Sequence, residues 1–318
     1  MVHDLQIVNV STKKEIDINE DGSSYYVLDS VDWDAPTGKL QTYRVPYQIG
    51  TSLSGIQIGT RKPSVTGYII SKLTADDLKE RTWDEYWNAQ LEVIEQKKKE
   101  LNKLINPFQN IRIYACGFYL EGTPTSPVKY STKQKENNDI LCKFSIDLEC
   151  TDPMFKNASS ESGTAFVTRK GAFVFPLRIK ESGNVFGSIT TKTVLNVENN
   201  GDCECGAIIS IRNMSEQIMG VRLKNVYTQE ILDLTNIGIF KVGDVVKINT
   251  NAGQESIMLY GADGRQRNLI SVMTEESTFL KFVQGTSVLS WELEGAKQGD
   301  VVAVYVEPEE KFFNIKEQ

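Results

Sequence analysis

Apolar and polar residues alternate along most of this chain, which is the pattern of β-strands with one buried face. The clearest alternation runs through residues 140–150 and places Ile140, Cys142, Phe144, Ile146, Leu148 and Cys150 on one face. Runs of β-branched or aromatic residues bounded by turn formers predict further strands at residues 25–31, 65–71, 111–120, 172–179, 256–260, 289–293 and 301–306. Many short strands separated by turns predict β-sandwich or barrel domains.

One segment, residues 83–105, has helical periodicity instead. Its apolar residues recur at the spacing of one helix face, namely Trp83, Trp87, Leu91, Ile94, Leu101, Leu104 and Ile105. Thr82 and Glu85 form a capping-box pattern before it, and Asn106-Pro107 ends it. The pattern therefore predicts a helix of about 23 residues, roughly 34 Å long.

The chain divides near its middle. A short helical turn is expected at residues 74–80, so residues 74–106 form a helical insertion in a first domain of residues 1–155. Residues 156–164 are rich in Ser, Asn and Gly and predict a linker. Residues 165–318 then form a second domain, and a length of 318 residues suits two domains.

Charge and targeting signals exclude several classes of protein. The chain has 35 Lys and Arg against 42 Asp and Glu, so no net positive field attracts nucleic acid or an anionic membrane. No signal peptide and no apolar run long enough to span a membrane is recognised. Five cysteines are an odd number and predict synthesis in a reducing cytosol rather than a disulfide framework.

Residue counts also argue against an enzyme. The one histidine is His3, near an end of the chain, so Ser-His-Asp or Cys-His catalysis lacks a base. No phosphate-binding or dinucleotide-binding glycine motif occurs, and no cofactor is expected. A pair of carboxylates acting on a glycan stays open as an alternative chemistry.

Residues 17–22 match the start of a calcium-binding loop. Asp17, Asn19 and Asp21 supply alternate oxygens, and Gly22 permits the sharp turn. The twelfth loop position, which needs a bidentate acid, is Leu28. A β-hairpin turn between Ile16 and Tyr25 is therefore the preferred interpretation, and no metal site is predicted.

The cysteines are predicted to be structural. Cys203 and Cys205 are too close for a zinc knuckle and have no second pair or histidine nearby, so they are expected at a packed strand edge. Cys142 and Cys150 share the apolar face of their strand and are expected in the core.

Trp83, Tyr86 and Trp87 allow two interpretations. Aromatic side chains can form a platform on which a sugar stacks. On a helix, aromatic residues four positions apart are more often anchors into a core or a partner, and that is the preferred hypothesis.

Short motifs in a fixed order run through both halves of the chain. The first half has GTRKPSVTGYI at 59–69 and TDPMF at 151–155. The second half has VENNGD at 197–202, LKN at 223–225, VGDVVKINT at 242–250 and SWELEGA at 290–296. This order resembles the distal tail protein family of long-tailed bacteriophages, although Ala296 stands where the family pattern has asparagine.

The resemblance implies a structural virion protein of the tail tip, or baseplate, made in the cytoplasm of the host bacterium. The first domain would be a belt that forms a homohexameric ring at the end of the tail tube. The second would be a galectin-like β-sandwich outside the ring. The implied partners are other copies of the chain, the tail tube protein, the tail-tip or hub protein, and receptor-binding or other baseplate proteins.

Two further expectations follow. The helical stripe of Trp83, Trp87, Leu91 and Ile94 is a candidate contact between subunits, because it exposes much apolar surface unless something covers it. The alternative function is a glycan-binding adhesion module of a phage or cell-surface assembly, which would bind a host glycan.

Overall fold

The computed structural model describes residues 3–73, 82–138, 140–158, 164–165, 168–171, 187–190, 194–214, 218–238, 240–294 and 302–315. The predicted helical turn at 74–80 and strand at 172–179 lie outside the described residues. The fold is mainly β with one α-helix in the described ranges, which confirms the predicted fold class. Two compact units divide the chain: Met1–Ala158 with Phe313–Gln318, and Ser159–Phe312. The expected second domain ran to residue 318, whereas the residues from Phe313 belong to the first unit.

The first unit is built around one sheet. Its elements are β1 (Asp4–Asn9), β2 (Glu15–Asn19), β3 (Tyr26–Asp32), β4 (Gly38–Tyr43), β5 (Ser52–Ile58), β6 (Ser64–Ile70), α1 (Trp83–Leu104), β7 (Ile111–Ala115), β8 (Phe118–Pro124), β9 (Lys129–Tyr130), β10 (Leu141–Glu149) and β11 (Phe155–Asn157). The sheet order is β11-β8-β7-β1-β2-β3-β6-β10-β9. Because β10 also pairs with β8, the sheet closes on itself around an apolar core.

Several strands follow the predicted alternation, and two local predictions were wrong. In β10 every second residue from Cys142 to Leu148 is buried, as expected. The predicted strand at 111–120 is instead two strands, β7 and β8, because Cys116 and Gly117 form a turn with φ of 50° and 79°. The predicted hairpin after Ile16 is also wrong, since β2 and β3 pair in parallel through Ile18 and Tyr26.

Helix α1 begins at the predicted residue and ends one residue early. The predicted capping box is present, with Thr82 and Glu85 each accepting a hydrogen bond from the other's backbone N–H. At the other end, Asn9 Nδ2 donates to the Leu104 carbonyl at 2.8 Å, which satisfies one of the last free carbonyls. No helix in the described residues is both long enough and apolar enough to cross a membrane.

Three of the four buried residues of α1 lie in its C-terminal half, and the fourth is Gln90. Ile94, Leu101 and Leu104 are buried in the core of the first unit. The hydroxyl of Tyr26 donates to the Lys97 carbonyl at 3.0 Å, and that of Tyr130 donates to the Lys98 carbonyl at 3.2 Å. Burial raises the pKa of both tyrosines, so these hydroxyls remain protonated donors at neutral pH.

Gly67 in β6 explains one of the sequence motifs. A Cβ atom at this position would lie 2.6 Å from the Val27 carbonyl oxygen and 2.8 Å from Cζ of Phe144. Only glycine therefore allows β3 and Phe144 to approach β6 this closely. The motif at 59–69 thus encodes packing of the first sheet.

Arg61 carries a buried charge in the first unit. Its side chain is 1% exposed, stacks over Phe155 at 4.5 Å from the ring centroid, and donates from Nη2 to the Phe313 carbonyl at 2.6 Å. Burial lowers the pKa of Arg61, while Cys150 and Asp34 act in the opposite direction. An aromatic face and a carbonyl oxygen therefore compensate a guanidinium that has no carboxylate within ion-pair distance among the described residues.

The second unit contains thirteen described β-strands, ten of which form two packed sheets. They are β12 (Thr164–Ala165), β13 (Thr168–Gly171), β14 (Gly187–Thr190), β15 (Val194–Asn199), β16 (Ala207–Asn213), β17 (Gly220–Asn225), β18 (Ile231–Leu234), β19 (Val245–Asn249), β20 (Ser256–Tyr260), β21 (Gln266–Asn268), β22 (Gly285–Glu294), β23 (Val302–Pro308) and β24 (Lys311–Phe312). One sheet has the order β12-β23-β16-β19-β20-β21 and the other β15-β22-β17-β18. Their facing side chains form one core that includes Trp291 and Phe282.

Asp244 organises a turn in the second unit. It follows Gly243, whose φ of 85° favours glycine, and its carboxylate accepts hydrogen bonds from the backbone of Lys241 and Ala262 at 2.9 and 3.0 Å. Arg265 also donates to it. Burial alone would raise the pKa of Asp244, but these backbone donors and the guanidinium of Arg265 hold it below the usual value.

Asp244→Asn tests this turn through pH dependence. At pH 7 the free energy of unfolding should fall by roughly 2–4 kcal/mol, because Arg265 loses its buried charged partner. Since the folded-state pKa is lowered, the carboxylate stabilises the fold above an unfolded-state pKa of about 3.9 and less as pH falls through the folded value. Urea unfolding should show that the free energies of unfolding of the wild type and the variant differ less at pH 3 than at pH 7. An equal difference at the two pH values would contradict this explanation.

Ile94→Ala and Leu91→Ala test which half of α1 belongs to the core. Ile94→Ala should lower the free energy of unfolding by about 2–5 kcal/mol, because it leaves a cavity. Leu91→Ala, at an exposed position three residues away, should change it by less than about 1 kcal/mol. Thermal unfolding of the two variants makes the comparison, and equal losses would show that the helix is packed along its whole length.

Candidate functional site

A two-stranded hairpin, β4 and β5, projects from the first unit without joining its main sheet. We call residues 38–58 the arm. Among the residues that the structure describes, its strands pair only with each other, from Gly38 opposite Ile58 to Tyr43 opposite Ser52. It connects β3 to β6, which are themselves paired in the main sheet. An isolated hairpin is marginally stable in water, so the arm is expected to have a partner.

The two faces of the arm differ in chemistry. Leu40 lies directly opposite Ile56, and residues opposite each other share a face. Alternation places Ile58 there too, and beyond the bulge near Gln41 the same face continues through Thr42 to its partner Leu53. The apolar face is therefore formed by Leu40, Leu53, Ile56 and Ile58. The opposite face carries Lys39, Gln41 and Gln57, with Tyr43 at its end next to the loop.

The apolar face of the arm is uncovered. Leu40 is 65% exposed and Ile56 is 62% exposed. The loop at the end of the arm adds Tyr47 and Ile49, both fully exposed. An alternation of apolar and polar faces is typical of strands with one buried side, so this face matches a surface that another molecule covers.

The second exposed apolar surface is the N-terminal half of α1. Trp83, Trp87 and Leu91, which we call the helix stripe, are exposed, with Trp83 at 68%. Trp87, Ile94 and Leu101 are spaced seven residues apart and so lie on one helix face. The face that enters the core at Ile94 also includes Gln90, which is buried, and one turn before it Trp87 is 39% exposed. Of the four predicted contact residues, Ile94 packs inside its own unit and the other three do not.

The aromatic residues on α1 do not form a flat platform. The rings of Trp83 and Tyr86 meet at 89° with centroids 6.5 Å apart, and those of Tyr86 and Trp87 meet at 68° and 5.8 Å. A sugar ring stacks on an aromatic face, whereas these rings present edges to one another. The arrangement favours the anchor hypothesis over the sugar platform.

The two surfaces have opposite charge. The arm contains Lys39 and Arg44 and no acidic residue. Residues 83–95 contain Asp84, Glu85, Glu92 and Glu95 and no basic residue. Lys39, Arg44, Asp84 and Glu92 are exposed, and within the described residues none of them has an ion-pair or hydrogen-bond partner.

The calcium-like segment uses its polar groups within its own loop. Asp21 accepts from the Ser23 backbone at 2.7 Å, and Asn19 donates to the Ser23 hydroxyl at 2.6 Å. Leu28 points into the core of the first unit. His3 lies at the surface and hydrogen-bonds to Glu20. In the described parts of the chain, no group of three or more His, Cys, Asp or Glu residues is arranged to hold a metal ion.

The predicted burial of Cys142 and Cys150 is confirmed, whereas Cys203 and Cys205, expected at a strand edge, lie between β15 and β16, where Cys205 makes an isolated bridge to Phe282. Cys142 and Cys150 are buried in the first unit, Cys205 is buried in the second, and Cys203 is half-buried beside it. Burial raises the pKa of Cys150 and of Cys205 to about 12, so both remain thiols at neutral pH. Cys116 is exposed in the turn between β7 and β8.

The arm was not predicted from the sequence. Leu40-Gln41-Thr42 and Ile56-Gln57-Ile58 do alternate, but each run is short, and the segment between them contains Pro46, Gly50 and Gly55. The signal that was available is the pair of short alternating runs on either side of a turn-rich segment.

Comparisons with known proteins agree with the architecture. No family model and no curated protein matches the chain. Its fold is similar to that of the SPP1 Dit (gp 19.1) protein, described as a paradigm of the hub adsorption apparatus in phages that infect Gram-positive bacteria. The TM-score is 0.55 at 10% identity, over 96% of this chain and 98% of that one.

Two structures of the phage P2 baseplate in its activated conformation, with Ca and with Sr, align over 96% of this chain and 98% and 97% of theirs. Their TM-scores are both 0.49, at 9% and 8% identity. The similarity to SPP1 Dit shows a shared fold over nearly the whole chain and confirms, at the level of the fold, the resemblance to distal tail proteins.

Proposed function

We propose that this chain is a non-enzymatic structural protein of a bacteriophage tail tip, and that copies of it form a hexameric ring. The observation that carries the proposal is the uncovered apolar face of the arm. The fold shared with SPP1 Dit, a hub protein, supports the same role.

The energetics of the arm favour assembly. Fully burying an aliphatic side chain contributes about 1.5–3 kcal/mol, and the arm presents four such side chains on one face. A ring uses head-to-tail contacts, in which one surface of a subunit meets a different surface of the next. The arm and the helix stripe are two different exposed surfaces of the first unit. That unit is therefore proposed as the ring-forming belt.

The second unit takes the outer role in this proposal. Its two packed sheets form a β-sandwich. We assign to it the binding of receptor-binding or other baseplate proteins, while the ring joins the tail tube protein to the tail-tip hub. The site of action is the virion tail tip, after synthesis in the host bacterium.

The mass of the purified assembly tests the ring. Native mass spectrometry or analytical ultracentrifugation should give six times the chain mass of 35.7 kDa, alone or in the presence of the tail tube protein. Electron microscopy of the particles should show six-fold symmetry. A chain that stays monomeric at high concentration under both conditions would contradict the proposal.

The apolar face of the arm can be tested separately. Leu40→Gln with Ile56→Gln should weaken assembly by at least about tenfold, because each loses buried apolar contact worth more than 1 kcal/mol. The melting temperature of the monomer should stay unchanged, since neither side chain fills a core. The matched control is Gln41→Ala with Gln57→Ala on the polar face. If both pairs of substitutions assemble like wild type, the arm is not an assembly surface.

A further inference from the structure

We infer that the arm of one copy docks on the helix stripe of the neighbouring copy, an inference that rests on the proposed ring. The two surfaces are the arm's apolar face, with Leu40 and Ile56 at its centre, and the stripe of Trp83, Trp87 and Leu91. In this contact each of the two exposed surfaces is covered by the other surface of a neighbouring copy.

The arrangement within one chain supports a contact between copies. Both surfaces belong to the first unit, yet both are exposed there, so neither covers the other in the same subunit. A head-to-tail interface needs two different complementary surfaces on every subunit. The arm and the stripe supply such a pair.

The dimensions of the two surfaces match. The six residues of β4 span roughly 20 Å at about 3.3 Å per residue. The helix segment from Trp83 to Leu91 is roughly 13 Å long at 1.5 Å per residue. The apolar face of the ribbon is therefore long enough to cover the whole stripe.

The charges around the two surfaces favour contact of the arm with the helix stripe. The arm carries Lys39 and Arg44 without an acid. Of the four acids at 83–95, Glu95 pairs with Lys98 and Glu85 caps the helix, which leaves Asp84 and Glu92. Asp84 and Glu92 lack ion-pair partners among the described residues, as do Lys39 and Arg44. Opposite charges around an apolar centre orient an interface and disfavour pairing of like surfaces, so arm-to-arm and helix-to-helix contacts are both disfavoured.

Charge reversal tests the pairing in the full-length chain. Arg44→Glu and Glu92→Arg should each raise the dissociation constant of the assembly about tenfold in low salt. The two substitutions combined in one chain should restore most of the loss, because the reversed charges attract again. The matched controls are Lys135→Glu and Glu276→Arg, which change charge by the same amounts at exposed positions outside the arm and the helix. Effects that add in the double variant, or that equal those of the controls, overturn the inference.

A mixing experiment shows which chains touch. With Cys116→Ser as background, one tagged protein carries Ile56→Cys and a second, differently tagged, carries Trp87→Cys. Oxidation of the mixture should yield a disulfide-linked heterodimer that contains both tags. Homodimers of either protein alone, or no cross-link in an assembly of normal mass, overturn the inference.

The two proposals fail differently. If the wild-type chain assembles to the expected mass but neither test pairs the arm with the stripe, the ring stands and the arm contacts another protein, such as that of the tail tube. If the wild-type chain stays monomeric under all conditions, the ring and the contact both fall.

Discussion

The closure of the first sheet limits how much apolar surface the first unit can cover. Because β10 returns to pair with β8, the sheet encloses a core that alternate strand residues fill. The C-terminal half of α1 contributes Ile94, Leu101 and Leu104 to this core, and of the N-terminal half only Gln90 is buried. The same closure leaves the arm outside, between β3 and β6 but paired with neither. The arm and the exposed part of α1 therefore lie outside the core that this closed sheet encloses.

Local patterns predicted the elements whose surroundings are regular. The alternation in β10 and the capping box of α1 each depend on neighbouring residues and were found from the sequence. The parallel pairing of β2 with β3 was not, because strand direction is decided by tertiary contacts rather than by the residues of the loop. The arm was missed because its alternating runs are only three residues long and are separated by a turn-rich segment.

The motifs behind the family resemblance have structural explanations. Gly67 permits close packing and Asp244 holds a turn, as described above. Asn225, at the end of β17, holds another turn: its side chain donates to the Lys281 carbonyl at 2.7 Å and accepts from the Tyr227 backbone N–H at 2.9 Å. These positions require particular residue types, whereas an apolar contact surface accepts many aliphatic and aromatic side chains. The sequence motifs could therefore predict the fold, but they could not show which surface takes part in assembly.

The return of the chain to the first unit makes the second unit an insertion rather than an appendage. The chain leaves the first unit at Ala158 and re-enters it at Phe313, whose carbonyl accepts the hydrogen bond from buried Arg61. An exchange of the second unit for another module consequently needs two junctions. A replacement module joined only at Ala158 would leave the buried guanidinium of Arg61 without its carbonyl acceptor. Only a module whose two ends both connect to the first unit can therefore replace the second unit.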